Sequence, residues 1–440
     1  MACNDVVEIW VANKEHQESM QDRISKTTPQ LLSTAAGKSS CCIFRVPQSF
    51  VEINGGNSYH PRIVSIGPYH RGKPHLQMIE EHKWRYLRSL LARTQTMGIS
   101  LENYFQSIHP LEKDARDSYS ETIHLDPDEF LEMMILDGCF MLELFRKVNN
   151  PTLFVEDDPL ATMAWILPFL YRDFLRLENQ IPFFVLEKLF EISKMPDEKF
   201  GPSFSVLAMR FFNNAMLRDE EVIDGFRNLK GLHLLDLVRS SFIPPDHEFP
   251  PNEGNVPTHI IHCVSKLRRS GIRLTPGKAE SFMVVKFKHG VIEMPRIAID
   301  DFMSSFLVNC VAFEQCHKSR FKHVTTYVTL LDYLVNSAKD VEYLSDRNIV
   351  ENDYGTEGEV ARFINNMGKE VAFDFDKCYL SKLFNDVHNY HQNSWHVQLA
   401  SFKYTYFDTP WSFISALAAF VLLVLSFLQT FYTIYGFIHS

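Results

Sequence analysis

The sequence predicts a mainly α-helical protein: a multi-helical globular domain with a minor β-hairpin element and one C-terminal transmembrane helix. Three observations lead to this class. The segment 130–148 is apolar nearly all round, which is typical of a helix buried in a core. Two apolar segments flank the turn-forming pair His289-Gly290, as in a hairpin. From Thr409 to Ile438 the chain contains no Asp, Glu, Lys or Arg.

The predicted helices before residue 240 have clear start signals. Asp126-Pro127 places an N-capping carboxylate before a proline in the first turn, which favours a helix start there. Asp158-Pro159 starts a second helix, and Pro168 should kink or end it. Pro182 opens a third helix, over 183–192. These starts predict a helical core in the first half of the chain.

The second half contains the predicted hairpin and further helices. The strands are expected over 282–287 and 291–299, with a break at Pro295. A capping box at Thr356 and Glu359 starts one of the helices. The predicted helices cover 258–270, 301–316, 324–338, 356–367 and 376–400.

Composition divides the chain into three parts. Residues 1–40 are polar and are predicted to be a mobile N-terminal segment, with a possible amphipathic helix near 6–24. Residues 41–405 have a globular composition and form the helical domain. Five prolines between Ile243 and Pro257 predict a long loop that could separate two subdomains. Residues 409–438 form the C-terminal membrane anchor.

The anchor prediction rests on length and polarity. Twenty residues of helix, from Phe413 to Tyr432, span the ~30 Å hydrocarbon core of a bilayer. A buried core helix is the alternative, but such a helix usually has a polar stripe, and here a few polar residues, among them Ser415, Ser426 and Gln429, interrupt the apolar run. Aromatic residues at both ends suit the headgroup level. The anchor residues are Trp411, Phe413, Leu422, Phe431 and Tyr432.

Topology signals favour a tail-anchored protein with a cytosolic N-terminal domain. The first residues lack the apolar run of a signal peptide. Asn150-Pro151-Thr152 is the nearest approach to a glycosylation acceptor, and its proline excludes it. Lys403 precedes the span and no Lys or Arg follows it, which favours a cytosolic N-terminal side. The particular membrane is not predicted.

Charge and cysteine usage exclude some classes of protein. The net charge of -10 at pH 7 opposes general binding to nucleic acid. The eight cysteines include no CxxC pair, and reduced thiols are expected. Gly37-Lys38-Ser39 resembles the end of a phosphate-binding loop, but Leu32 stands where the first glycine is needed. No cofactor is predicted.

Metal and catalytic motifs are weak. His388 and His391 could share a helix face, but no third ligand stands at a suitable spacing. Cys310 and Cys316 are six residues apart in a predicted helix and point to different faces, so they are poorly placed to bind one zinc ion together. We therefore predict no metal, cofactor-binding or catalytic residues. Four acids lie in apolar surroundings and are either catalytic or, as we favour, buried and bonded to Arg or backbone amides: Asp137, Glu143, Glu178 and Glu314.

Some segments have unusual compositions that are specific to one family. Their sequences are IFRVP at 43–47, SIGPYHRG at 65–72, LDGCF at 136–140, LENQIPFF at 177–184 and NCVAFEQC at 309–316. In this order and spacing, they resemble the plant family called domain of unknown function 247, also described as an uncharacterised protein family. The resemblance runs from about Cys41 into the anchor. It implies a membrane-associated plant protein without an established enzymatic activity. Some members of that family are implicated in recognition, notably in grass self-incompatibility, and others in stress or defence.

The motifs supply one candidate site, made of Tyr69, His70, Glu178, Asn179 and Gln180, which is either a pocket or a structural motif. We predict a membrane-anchored interaction or recognition protein, not an enzyme, with the lipid bilayer and an unidentified protein as its partners. The alternative is a membrane-tethered enzyme with an unrecognised acid and histidine site. A concave, convergent cluster would favour the enzyme, and a filled interior with a broad exposed surface would favour the interaction protein.

Overall fold

The computed structural model describes residues 16–26, 40–156, 158–244, 261–317, 322–373, 378–392 and 410–439. Within these residues the protein is mostly helical, with a few short strands, so the predicted fold class is confirmed. Residues 16–26 are helical, and the other residues before 40 lie outside the described part.

The helices and strands are numbered here in chain order. The helices of the first half are α1 (Gln48–Asn54), α2 (Gln77–Thr94), α3 (Leu101–Ile108), α4 (Glu112–Asp117), α5 (Pro127–Asn149), α6 (Pro159–Thr162), α7 (Ile166–Asp173), α8 (Phe183–Ile192), α9 (Phe204–Met216), α10 (Glu220–Gly225) and α11 (Leu234–Ser241). The second half contains α12 (Val264–Arg269), β1 (Arg273–Gly277), β2 (Lys286–Lys288), β3 (Val291–Pro295), β4 (Ile297–Ile299), α13 (Asp301–Cys316), α14 (His323–Leu334), α15 (Ala338–Asp346), β5 (Val350–Asn352), α16 (Glu357–Met367), α17 (Ser381–Gln392) and α18 (Pro410–His439).

The chain divides into two compact units. Unit 1 comprises Met1–Ser241 and Val308–Lys318, and unit 2 comprises Phe242–Leu307 and Ser319–Ser440. The loop predicted over 243–257 lies outside the described residues from 245 onward, so its role as a subdomain boundary stays a prediction.

Helix α5 forms the centre of unit 1. The carboxylate of Asp126 caps it by accepting the backbone N–H of Glu129 at 2.8 Å, as predicted. Nearly every residue from Phe130 to Lys147 is buried, because α2, α3, α8 and α9 pack around the helix. Its Phe145 contacts the rings of Phe174, Phe204, Phe211 and Phe212. The prediction of a core helix is confirmed.

A glycine permits the close approach of α8 to α5. A Cβ atom at Gly138 would lie 2.3 Å from Cδ1 of Leu189, closer than two carbon atoms can pack. The absence of a side chain at Gly138 therefore lets the two helices pack closely.

The hairpin is in unit 2, and its strands are shorter than predicted. Strands β2 and β3 pair antiparallel around His289 and Gly290, which both have positive φ. Strand β1 pairs parallel to β3, and β4 pairs parallel to β5. Residues 282–285 are not in a strand, because the N–H groups of Val284 and Val285 bond to the nearby carbonyls of Ser281 and Met283 and so form a turn.

Several helix boundaries correct the sequence prediction. Pro168 lies in the first turn of α7 and does not end a helix, because a first-turn residue needs no N–H donor. The helix predicted over 324–338 ends at Leu334, and Ser337 with Asp340 caps the start of α15. The capping box of Thr356 and Glu359 is confirmed by hydrogen bonds in both directions. The helix predicted over 376–400 is described for Ser381–Gln392.

Helix α18 has 30 residues. Its segment Ile414–Tyr435 is long and apolar enough to cross a membrane, and none of the side chains described in it is buried inside the protein. The predicted anchor residues Trp411, Leu422, Phe431 and Tyr432 are exposed, and Phe413 lies in the same helix.

Candidate functional site

Glu178 joins two separate segments of unit 1. It lies between α7 and α8, and its side chain is only 4% exposed. One carboxylate oxygen, Oε1, accepts the backbone N–H of Val46 at 2.8 Å. The other, Oε2, accepts Nη1 of Arg45 and lies 3.0 Å from Nε2 of His70. The predicted burial and hydrogen bonding of this carboxylate are confirmed.

His70 is buried and neutral at pH 7. Burial lowers the pKa of His70, and the positive charges of Lys73 and Arg45 lower it further, against the opposing effect of Glu178. The ammonium of Lys73 lies 2.8 Å from Nδ1, and since an ammonium only donates, Nδ1 accepts. The ring proton is therefore on Nε2, which faces Glu178. This N–H is not aligned with the carboxylate, so the contact is electrostatic rather than a formed hydrogen bond.

The carboxylate of Glu178 stays ionised to low pH. Burial by itself raises its pKa, but the His70 contact, the Val46 N–H and the Arg45 charge outweigh burial and lower the pKa to about 2. Because His70 is neutral, we attribute the ionised state mainly to Val46 and Arg45. A carboxylate held in this way accepts hydrogen bonds and is a poor proton donor near neutral pH.

Tyr69 closes the cluster on one side. Its hydroxyl lies 3.3 Å from the Ile43 carbonyl and 3.1 Å from Oγ of Ser120, and its ring lies beneath the Arg45 guanidinium at 4.2 Å. Burial raises the pKa of Tyr69 to about 12. The ring and the hydroxyl therefore hold the loop before α1 against the segment after α4.

Asn179 and Gln180 bond to backbone groups. Oδ1 of Asn179 accepts the Ile66 N–H at 2.7 Å, and its Nδ2 donates to the Val64 carbonyl at 3.2 Å. Nε2 of Gln180 donates to the carbonyls of Phe174 and Arg176, and its Oε1 accepts the Leu235 N–H at 3.3 Å. Both amides satisfy backbone groups that have no helix or strand partner.

The same pattern extends along the loop 62–67. The Asp173 carboxylate accepts the backbone N–H groups of Arg62, Ile63 and Val64. Asp137 accepts the N–H of Gly67 at 2.8 Å and pairs with Lys83 at 2.6 Å. These side chains thus accept the backbone N–H groups of the loop, as a neighbouring strand would do in a sheet.

The other predicted buried acids are paired as well. Glu143 pairs with Arg93, and Glu314 pairs with Arg239 at 3.0 Å. The interpretation that these acids are bonded to arginines or to backbone amides is confirmed.

Within the described ranges, no group of three His, Cys, Asp or Glu residues could hold a metal ion. His391 lies with its ring centroid 4.7 Å from that of His262, and His388 contacts Gln392. Cys310 is buried, and burial raises its pKa well above the usual value, so its thiol stays protonated.

Sequence reasoning missed a cavity of about 560 Å³ in unit 1. It is lined by α8, the start of α9 and residues 227–230, and none of the five candidate site residues lines it. One signal could have indicated it. Phe184, Lys188 and Glu191 are spaced by four and three residues, which places them on one face of α8.

Comparison with known proteins identifies a family. The model of a plant protein family of unknown function, domain of unknown function 247, matches residues 43–425. The chain is 37% identical to UPF0481 protein At3g47200 of Arabidopsis thaliana, over 91% of this chain and 88% of that protein. It is 23% identical to putative UPF0481 protein At3g02645 of the same plant, over 90% of each. No solved structure matches the chain. The chain therefore belongs to the plant domain of unknown function 247 family.

Proposed function

We propose that this protein is a membrane-anchored interaction protein that acts in recognition, as in self-incompatibility, defence or other signalling, and that helix α18 is its anchor. The observation that carries the proposal is the exposure of α18. A helix of 22 charge-free residues, from Ile414 to Tyr435, with no side chain described as buried, leaves apolar surface that water solvates poorly. A bilayer removes that surface from water along the whole span.

We propose the tail-anchored orientation, with the helical domain in the cytosol. Lys403 before the span favours this side. Among the described residues no cysteine forms a disulfide, which is also compatible with a cytosolic domain.

A binding role is better supported than catalysis. A substrate would need access to the His70 ring and the Glu178 carboxylate, whose side chains are 0% and 4% exposed. The proton between them is misaligned, and the neighbouring polar groups are bonded within the protein. The alternative of a tethered enzyme would require this cluster to open, so the exposed surface is the better candidate for contact with a protein partner.

Membrane fractionation with a carbonate wash tests the anchor. Deletion of Trp411–Ser440 should move the protein to the soluble fraction. Leu422→Arg with Leu425→Arg places two charges near the middle of the span, at a cost of roughly 2.5–3.5 kcal/mol each, and should also release the protein. The control is Trp411→Arg with Tyr435→Arg, because long side chains near the ends of a span reach the interface.

We expect the full chain and the control to stay in the membrane pellet. If the deleted chain remains there after the wash, another part of the protein holds it and α18 is not the anchor. If α18 is the anchor, proximity labelling in plant cells with the full chain and with the deleted chain identifies the partners that depend on anchoring.

A further inference from the structure

The cavity of about 560 Å³ in unit 1 has an aromatic floor. Phe184 is half-buried, and Phe190 and Phe204 are buried with ring centroids 5.8 Å apart. The volume lies within the range of small-molecule sites, roughly 300–1,000 Å³. The ring of Phe184, with Phe190 and Phe204 packed behind it, offers apolar contact area, which suits an aromatic or other planar apolar body.

The rim of this cavity is positive in a protein that is negative overall. It carries Lys188, Lys194, Arg227 and Lys230 against two carboxylates, while the whole chain has a net charge of -10. A local excess of positive charge above a low-dielectric floor attracts anions and concentrates them at the site.

Most of the positive charge on the rim has no carboxylate partner. Lys230 pairs with Glu187 at 3.3 Å and is thereby neutralised. Within the part of the chain that the structure describes, Lys188, Lys194 and Arg227 form no ion pair. Lys194 lies over the Phe190 ring at 5.4 Å, so one cation stands directly above the floor. Among the described residues of the rim, Glu191 is the carboxylate that forms no ion pair.

We propose that this cavity binds a small aromatic carboxylate, with its ring against Phe184 and its carboxylate at Lys194 and Arg227. The guanidinium of Arg227 offers two parallel donors that match the two oxygens of a carboxylate. The lysine ammonium groups add positive charge but do not fix the orientation of the bound carboxylate. This binding activity goes beyond the proposed anchoring and does not depend on it.

The test uses the full chain in lipid nanodiscs and two probes, 2-naphthoate and 2-naphthamide, with binding measured by calorimetry against empty nanodiscs. The two probes share one ring system and differ in charge. We expect saturable binding of one naphthoate per protein and binding of the amide that is at least about tenfold weaker, since a charge-assisted contact is worth roughly 1.5–3 kcal/mol. Inorganic phosphate in excess should not displace naphthoate, because it lacks the apolar body.

Four variants separate the rim from the floor. Arg227→Gln and Lys194→Gln should each weaken naphthoate binding by about tenfold and leave amide binding unchanged. Glu191→Gln should strengthen naphthoate binding by a few fold, because it removes a like charge from the rim. Phe184→Ala should weaken both probes. Lys339→Gln, an exposed substitution in unit 2, is the charge-matched control and should change neither affinity.

Several outcomes would overturn the proposal: no saturable binding of naphthoate, equal affinity for naphthoate and amide, or displacement by phosphate. Unchanged naphthoate affinity in both Arg227→Gln and Lys194→Gln would overturn it as well. Arg227 and Glu191 are exposed and Lys194 is half-buried, so the variants at these three positions are expected to fold, and circular dichroism checks all four variants.

Discussion

Oδ2 of Asp137 accepts the backbone N–H of Gly67 at 2.8 Å and so attaches the loop 62–67 to the central helix α5. Oδ1 of the same carboxylate pairs with the buried Lys83, which also donates to the Ser65 carbonyl. Asp137 and Gly67 belong to two of the segments that identify the family. Their contact explains why an acid stands in the middle of an apolar helix.

The position of Gly67 leads to a first prediction. Its φ is +71°, and a Cβ atom there would lie 2.6 Å from the backbone oxygen of Gln180. Gly72 has a φ of +80° with nothing near a Cβ atom, so it is the matched control for backbone strain alone. Gly72→Ala should cost about 1 kcal/mol, and Gly67→Ala at least ~2 kcal/mol more.

Thermal unfolding of both variants measures this difference. For a domain of this size, 1 kcal/mol corresponds to roughly 2–4 °C, so the Gly67→Ala protein should melt at least ~4 °C below the Gly72→Ala protein. Equal melting temperatures would mean that the loop can move away from Gln180 and is not held as described.

Acid sensitivity is the second prediction. His233 is fully buried, its Nε2 lies 3.1 Å from the Cys42 carbonyl, and its Nδ1 accepts the Asp236 N–H. Burial lowers the pKa of His233 to about 4; the charges of His317 and Arg239 also lower it, while Asp236 raises it. The folded state therefore binds this proton less readily than the unfolded state does. The associated stability is complete above pH ~6.5 and is lost as the pH falls towards 4, in total roughly 3 kcal/mol.

Denaturant unfolding between pH 7 and pH 4 measures this loss. His233→Asn should be less stable at pH 7, since it loses ring packing, but its stability should fall less steeply between pH 6.5 and pH 4. His70, whose pKa burial also lowers, is retained in the variant and leaves part of the acid sensitivity. If the free energy of unfolding falls equally steeply with pH in both proteins, His233 is not a source of the acid sensitivity.

Topology gives the third prediction. Pro151→Ala converts Asn150-Pro151-Thr152 into a glycosylation acceptor at an exposed position. In microsomes, the cytosolic orientation predicts that Asn150 stays unmodified. As the control, an acceptor triplet in a tag added after Ser440 should be glycosylated, because that end would lie in the lumen. Glycosylation of Asn150 together with an unmodified tag would show the opposite orientation, with the helical domain in the lumen.

Local signals predicted the helices and the motifs, but long-range pairing was not predictable. The Asp126 cap, the Thr356 capping box and the apolar helix α5 depend on residues within a few positions of each other, so the sequence shows them directly. The partners of Glu178 are Val46 and Arg45, more than 130 positions away along the chain. Neither periodicity nor composition indicates which backbone N–H a buried acid accepts.

The cavity was missed for a related reason. Its floor comes from α8 and α9, and its rim cation Arg227 comes from a third segment. On each segment alone, an exposed Lys or Arg is typical of a solvated surface. Only in the folded chain do the rim cations and the three phenylalanine rings line one cavity.

The structural role of Glu178 is tested most directly by the melting temperature of Glu178→Ala measured beside Glu121→Ala. Both carboxylates contact Arg45, but the Glu178 side chain is 4% exposed and that of Glu121 is 56% exposed. Loss of Glu178 leaves Val46 N–H without its acceptor inside the protein, at a cost of roughly 1–3 kcal/mol, whereas an exposed pair contributes about 0–1 kcal/mol. We expect Glu178→Ala to melt several degrees below the wild type and Glu121→Ala to melt within about 2 °C of it. An unchanged or higher melting temperature for Glu178→Ala, together with loss of biological function in the plant, would contradict the structural role and favour a catalytic one.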